Sequence, residues 1–304
     1  VSAHVEIRQR LDDPEIAEVL RLVEAATQAD GVRPLNEHVM LHLRYGGDVR
    51  ARSILLFQDD VLAGYAHVDP TDEVEGPSAE LVIHPAHRRA GNGARLLRAV
   101  LDLADGRLRL WAHGDHVAAG ALAASFGLER VRSLWQMRRS LFAPLAAYTL
   151  PEGVRMRTFV PGQDEESWLK VNAAAFAHHP EQGAWTMDDL LRREREPWFD
   201  PEGFFLAVRG DRLVGFHWTK IHGSTESTEH GHEPLGEVYV VGVDPSQQGT
   251  GLGKALTLAG LDHLRARGLA QAMLYVDEAN TAAIRLYEGL GFARWDVDVM
   301  YAIA

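Results

Sequence analysis

Apolar and polar positions alternate over residues 5–8 and then recur at helical spacing over 13–26, predicting a strand followed by an amphipathic helix. Two further strand-like runs, 53–57 and 61–68, flank Gln58-Asp-Asp60 and predict a hairpin. Residues 80–83 read as a short apolar strand. Residues 91–104 return to helical spacing, with Leu96, Leu97, Val100, Leu101 and Leu103 forming one apolar face, and 107–112 read as a strand. The same order then starts again: strand 154–158, helix 165–176, hairpin 204–220, strand 238–243, helix 252–265 and strand 270–276. Each series mixes hairpins with strand–helix–strand steps, so each predicts an α+β domain with a mixed, mostly antiparallel sheet flanked by helices.

The residues themselves repeat as well. Leu81-Val-Ile-His-Pro-Ala-His-Arg-Arg-Ala-Gly-Asn-Gly93 lies over Val241-Gly-Val-Asp-Pro-Ser-Gln-Gln-Gly-Thr-Gly-Leu-Gly253, with Pro85 and Pro245, Arg88 and Gln248, and Gly91 and Gly251 each 160 positions apart. Downstream, Leu110-Trp-Ala-His and the Ala118 to Leu128 block lie over Leu274-Tyr-Val-Asp and the Ala282 to Phe292 block, now 164 apart. Two matched blocks in the same order mean two tandem copies of one domain. A unit this long is not a solenoid repeat of roughly 20–50 residues. The copies are expected at 1–140 and 153–304, joined by a linker over 141–152 that holds two prolines and no clear period.

Composition narrows the function. The 304 residues suit two domains, and 31 Lys and Arg against 43 Asp and Glu give a net charge of −12. That balance argues against non-specific nucleic-acid binding, which needs a cationic face. No run approaches the roughly 18 apolar residues of a spanning helix, and residues 1–10 lack the apolar segment of a signal peptide, so neither membrane nor export is expected and the cytoplasm is. Cysteine is absent, which rules out disulfides, Cys-ligated zinc and a cysteine nucleophile. Histidine is abundant, yet a lone His230-Gly-His232 on a polar loop without Cys is more often solvated, and no metal is expected. That loop, 223–234, is long and rich in Ser, Thr and Glu, and is expected to be mobile.

The chemistry-bearing signal is Gln248-Gly-Thr-Gly-Leu-Gly253 between a strand and a helix. Glycines allow a tight turn, and the helix start offers unpaired N–H donors and a positive dipole end, a combination that binds phosphate. It is neither a Walker A nor a Rossmann fingerprint. With Val-Asp-Pro before it and an Asn and Leu-Tyr-x-x-Leu-Gly-Phe after it, the segment resembles the GNAT family of acetyl-CoA-dependent N-acetyltransferases, twice over. More closely, Asn172-Ala-Ala-Ala-Phe-Ala-His-His-Pro-Glu-Gln-Gly183 with Trp185, Trp198-Phe-Asp-Pro201, Gly215-Phe-His-Trp-Thr-Lys220 and Gly236-Glu-Val-Tyr-Val240 resemble the mycothiol synthases, a tandem-GNAT family; Asp30-Gly-Val-Arg-Pro34 resembles its N-terminal substrate loop.

The resemblance implies acetylation of the cysteinyl amine of desacetyl-mycothiol, a cysteinyl glucosaminyl-inositol. It implies Glu237 as general base and Tyr287 as general acid. In the second copy acetyl-CoA would be held by Val241, Gly242, Val243, Gln248, Gly249, Thr250, Gly251, Leu252, Gly253, Lys254, Asn280, Thr281, Ala282, Ala283, Ile284 and Arg285. In the first copy the matching positions are Leu81, Val82, Ile83, Arg89, Ala90, Gly91, Asn92, Gly93 and Ala94. Substrate contacts would come from Glu37, Glu181, Lys220, Glu237 and Tyr275, charged and hydroxyl groups suited to a polyhydroxyl amine.

The offsets set Ala123 against Tyr287, Pro77 against Glu237 and His116 against Asn280, so the first copy is expected to be non-catalytic. Its loop, with Arg88 or Arg89 adding positive charge, either binds acetyl-CoA without turnover or only preserves the fold. Two fused copies would substitute for a dimer, and a monomer is expected. Acetylation of another small amine and a non-catalytic acyl-CoA sensor stand as alternatives; retention of both Glu237 and Tyr287 disfavours the sensor.

Overall fold

A computed structural model describes residues 3–46, 48–71, 76–104, 107–222 and 234–303, the side chains of Pro180 and Glu181 excepted. The first copy runs β1 (Ala3–Arg8), α1 (Asp13–Asp30), α2 (Glu37–Tyr45), β2 (Arg52–Gln58), β3 (Val61–Asp69), β4 (Ser78–Ile83), α3 (Asn92–Leu103), β5 (Arg109–Ala112), α4 (Val117–Ser125) and β6 (Leu128–Ser140). The second runs β7 (Val154–Thr158), α5 (Glu165–Ala175), α6 (Pro180–Gly183), α7 (Met187–Glu194), β8 (Phe204–Arg209), β9 (Arg212–His222), β10 (Leu235–Val243), α8 (Leu252–Ala266), β11 (Gln271–Asp277), α9 (Thr281–Gly289) and β12 (Ala293–Ile303).

Local chemistry explains the boundaries. Asp12 and Glu15 form a reciprocal capping box at the start of α1, and Gly31, left-handed at φ 73°, ends it. The β2–β3 hairpin turns on Asp59 and Asp60, both at positive φ, a conformation Asp tolerates better than most residues. Helix α2 is absent from the sequence reading because His38, His42 and Arg44 interrupt its apolar face, although Val39, Met40, Leu41 and Leu43 are buried. The short α7 carries two arginines and three acidic residues in eight, and Leu190 is its one buried apolar residue.

The chain forms two compact units that do not coincide with the two sequence copies. Unit 1 takes the residues up to Trp135, Asp277–Ala279 and the end of the chain from Asp296; unit 2 takes Gln136–Val276 and Asn280–Trp295. Unit 1 has strand order β1-β2-β3-β4-β5-β12. There β12 pairs antiparallel with β5, Val299 opposite Ala112 and Tyr301 opposite Leu110. Unit 2 has the order β7-β8-β9-β10-β11, with the second half of β6 beside β11 and the Leu141 N–H bonded to the Ala270 carbonyl. Each unit thus contains strand residues from the other copy's last strand. Among the assigned pairs, β4–β5 and β10–β11 run parallel and the others antiparallel.

Unit 2 is built on aromatic packing. Trp168 and Trp218 are fully buried, with Phe204 stacked flat on Trp218 at 4.4 Å and Trp168 edge-on to both. On the opposite sheet face α8 buries Leu252, Leu256 and Leu264. Its approach to β9 depends on Gly260, where a methyl group would overlap the imidazole of His217. That ring is buried, donates from Nδ1 to the Leu256 carbonyl at 2.7 Å, and is held neutral by burial, its pKa pushed down to about 4. Gly260→Ala therefore adds a helix-favouring residue but forces helix and ring apart. Overpacking of about 1–3 kcal/mol outweighs a propensity gain of about 1 kcal/mol, so the urea midpoint of the variant falls; an unchanged or raised midpoint would show that the helix shifts freely.

Candidate active site

In unit 2 the parallel strands β10 and β11 pair only at Gly236–Ala272 and Glu237–Met273. Beyond Glu237 they part, so the β11-facing edge of β10 runs on to Val243 without ladder partners from β11. Its other edge stays paired with β9 throughout, apart from one irregularity: Val238 faces Thr219 and Val240 faces Trp218, leaving Tyr239 as an extra, bulged residue. Because of this bulge Glu237, Tyr239 and Val240 all lie on the side of the sheet that carries the aromatic cluster, while Gly236 and Val243 pack toward α8.

Glu237 is buried at the fork, 6% exposed. Its cross-strand partner is Lys220, also buried, whose Nζ lies 4.4 Å from the Trp198 ring centroid and 5.1 Å from that of Tyr239. Such cation–π contacts are worth about 0.5–2 kcal/mol and offset part of the cost of burying an ammonium group. Tyr239 is in turn fixed by Arg193 of α7, whose Nε donates to the Tyr239 hydroxyl at 2.8 Å while its guanidinium stacks on Trp185. His222 completes the group: its Nε2 lies 2.6 Å from Glu237 Oε2. Tyr275, on the same face of β11 two residues beyond Met273, is exposed and accepts a hydrogen bond from Gln136.

The glycine-rich segment joins β10 to α8. Asp244 accepts from the N–H and hydroxyl of Ser246 and from Arg212, which hold its carboxyl below the usual range and fix a 3-10 turn at Pro245–Gln247. The chain then passes through Gly249 and Gly251 at φ 77° and 86°. No side chain caps α8, so the N–H groups of Leu252, Gly253 and Lys254 open its first turn without a side-chain acceptor. Gln248 and Thr250 complete the loop. Asn280 caps α9 by accepting from Ala283 N–H at 3.1 Å, and residues 281–285 form the first turns of that helix. Tyr287, further along α9, is half-buried against Phe292, and burial pushes its hydroxyl up to about 12, so it stays protonated at neutral pH.

The structure thus brings Glu237 and Lys220 together, with Tyr275 on the same face. Glu37 stands in unit 1, in the first turn of α2, and the Glu181 side chain lies outside the described residues. So does the 223–233 stretch with His230 and His232; among the described residues no cluster is placed to hold a metal, and no helix is long and apolar enough to cross a membrane. Sequence reasoning missed His222, Tyr239 and Arg193. Of these, His222 was detectable: strand alternation puts it on the face of Lys220.

In unit 1 the parallel strands β4 and β5 part after Glu80–Trp111, leaving Leu81, Val82 and Ile83 beyond the fork. The loop repeats the second copy's backbone, with Arg89 at φ 63° where Gly249 stands, then Ala90, left-handed Gly91 and an uncapped α3 opening with Asn92, Gly93 and Ala94. Arg88 is engaged elsewhere, gripping Asp30 by two hydrogen bonds of 2.7 Å. One correspondence needs correction. The β3–β4 ladder has no bulge, so register sets Ser78, not Pro77, in the place of Glu237, and Asp69 in the place of Lys220. The constant offset fails there because it skips the residue inserted at Tyr239.

The first copy's buried carboxylate is Glu80, which accepts the Asn36 N–H at 2.7 Å and lies 3.4 Å from His113 Nε2; His113 Nδ1 lies 3.0 Å from Asp298 of β12. Burial opposes the imidazolium, but the two carboxylates outweigh it and push His113 up to about 10. A folded pKa above the unfolded value of about 6.5 means stability that is fully present below pH 6.5 and is lost as pH rises through 10. Denaturant titrations should therefore show wild-type stability declining across that window and His113→Gln declining less; parallel curves would remove His113 from the linkage.

The chain matches the Acetyltransferase (GNAT) family over residues 19–128 and 168–292. It is similar to proteins named mycothiol acetyltransferase from Streptosporangium roseum, at 64% identity over 99% of both chains, and from Thermobispora bispora, at 63% over 99% of both. Among solved structures it resembles a GCN5-related N-acetyltransferase from Sphaerobacter thermophilus, with TM-score 0.69 and 26% identity over 98% of this chain and 96% of that one. It also shares its fold with a tandem GNAT protein of the clavulanic acid biosynthesis pathway, with TM-score 0.73 and 18% identity over 99% and 98%.

Proposed function

The chain belongs to the GNAT family of acetyltransferases, and from that premise we propose that it transfers the acetyl group of acetyl-CoA to the cysteinyl amine of the mycothiol precursor. The observation that carries the reading is the fork in unit 2: a buried carboxylate where two parallel strands part, followed by an uncapped helix start. Backbone N–H and C=O groups on the open edge of β10 at Val241, Gly242 and Val243 suit the amides of a pantetheine arm. The N–H groups opening α8 suit the pyrophosphate.

The reaction needs a neutral amine. An α-amino group has a pKa of about 7.7–8.0, so a modest base suffices at neutral pH. Glu237 removes one ammonium proton; the amine nitrogen bonds to the thioester carbon; the carbon–sulfur bond breaks as the tetrahedral intermediate collapses, the departing thiolate takes its proton from Tyr287, and the second proton that the nitrogen loses as the amide forms returns to the Tyr287 oxygen. A tyrosine held protonated by burial fits the role of donor to the thiolate. Lys220 and Tyr275 flank the base on the acceptor side, and the names of the relatives favour the mycothiol precursor as acceptor.

Glu237→Gln keeps shape and removes basicity. The rate should fall by about 10²-fold or more near neutral pH, within the about 10²–10⁴-fold range of general bases. It should recover in part toward pH 9; a rate unchanged across pH 6–9 would sink the assignment. Tyr287→Phe should lower kcat more than it weakens acetyl-CoA binding, whereas equal losses of both would mark a packing residue. An amine panel including the cysteinyl pseudodisaccharide tests the acceptor.

The first copy, on the same reading, holds acetyl-CoA without turnover: it keeps the loop geometry but sets Ser78 and Ala123 where the second has Glu237 and Tyr287. A Gly251→Glu, Gly253→Glu variant should keep about one equivalent of bound acetyl-CoA, one helix-start site remaining, and show no acetylation. Loss of all binding would reduce the first loop to a structural part.

A further inference from the structure

Strand alternation on β9 sends Trp218, Lys220 and His222 to one face, where Lys220 stands opposite Glu237 and His222 opposite Leu235. His222 is therefore diagonal to Glu237, and its Nε2 reaches Oε2 at 2.6 Å. The two side chains differ in surroundings: the carboxylate is 8% exposed and the imidazole 32%. A carboxylate only accepts, so Nε2 carries the hydrogen and donates it. We propose that His222 is the positioning residue of the base: it fixes Glu237 Oε2 and presents Oε1 to the incoming ammonium. This inference rests on the reading of Glu237 as the base.

The physical case has two parts. The terminal torsion of a glutamate is broad, so an untethered carboxylate samples orientations in which neither oxygen lies along the proton's path. One short hydrogen bond from a neighbouring strand removes that freedom. The same bond also supplies a partner to an acceptor that burial takes out of water. In the step itself the N–H bond of the ammonium breaks and an O–H bond forms at Oε1. Ammonium and carboxylate become amine and carboxylic acid, and the proton later leaves to water. His222 keeps its own proton throughout, so its part is geometric and electrostatic.

Other groups on this face act on Glu237 too, and a pH profile must be read with them in view. Lys220 lies across the strand pair with its ammonium against Trp198 and Tyr239. Arg193 of α7 is bonded to the Tyr239 hydroxyl, and Tyr275 lies on β11. None of these side chains is altered in the variants compared.

The experiment compares kcat/KM against pH for wild type, His222→Leu, His222→Gln and Glu237→Gln, with acetyl-CoA and the cysteinyl pseudodisaccharide. His222→Leu should lose about 10-fold in kcat, less than the full worth of a general base. Its KM for acetyl-CoA should not change. His222→Gln places an N–H donor at similar reach and should recover most of kcat. A His222→Leu profile that superimposes on wild type, while Glu237→Gln has lost its rate, would overturn the positioning role and leave the base in place. A His222→Gln variant as impaired as His222→Leu would also overturn it, since donation would not be what matters. Full activity in Glu237→Gln would remove the base and this inference with it.

Discussion

One inserted residue organises the site. The bulge at Tyr239 lets β10 stay paired with β9 while its side-chain sequence slips by one. Without that slip, alternation would place Glu237 and Val240 on opposite faces. With it, the buried carboxylate, the tyrosine ring and the valine all turn toward the aromatic cluster. The unbulged β4 shows the contrast directly: Ser78, Glu80 and Val82 alternate onto one face with nothing extra between them. Its carboxylate therefore lies two residues further along the strand than the position that Glu237 takes.

Burying Glu237 and Lys220 side by side is stable only because neighbours compensate each charge. The ammonium leans on Trp198 and Tyr239, the carboxylate takes the His222 hydrogen bond, and Tyr239 is itself held by Arg193. Trp198 thus has a second part beside packing, as the wall that holds a cation near the base. Trp218 stacks on Phe204 within the cluster and Trp198 tilts against Trp218, so the cationic contact continues directly into the core packing.

Much of this was legible beforehand because it rests on local rules. Strand 154–158 and the helix starts at Asp13 and Leu252 follow from alternation, helical spacing and a glycine-rich turn. The tandem repeat and the fold class follow from spacing. What escaped depends on long-range register. A constant offset cannot reveal a bulge, so Pro77 was matched where Ser78 belongs. Strands β6 and β12 carry charges at intervals that blur their period, and nothing local says that β12 pairs with β5. The His222 contact lay within reach of alternation, but its partner is fixed only once β9 and β10 are in register.

The two copies place their buried charges differently on one backbone. In unit 2 a carboxylate at the fork is left with one oxygen bonded to a half-exposed imidazole. In unit 1 the buried carboxylate is held at Oε2: it accepts a backbone N–H ahead of α2, faces an imidazole, and that imidazole is shared with Asp298 of β12. An oxygen already engaged by a backbone N–H and facing an imidazole is tied to the fold rather than presented to a ligand. The same group is a good fastener, since it joins α2, β4, β5 and β12 at one point. The replacement of Tyr287 by the fully buried Ala123 follows the same logic: the side chain that would serve chemistry gives way to one that fills the core.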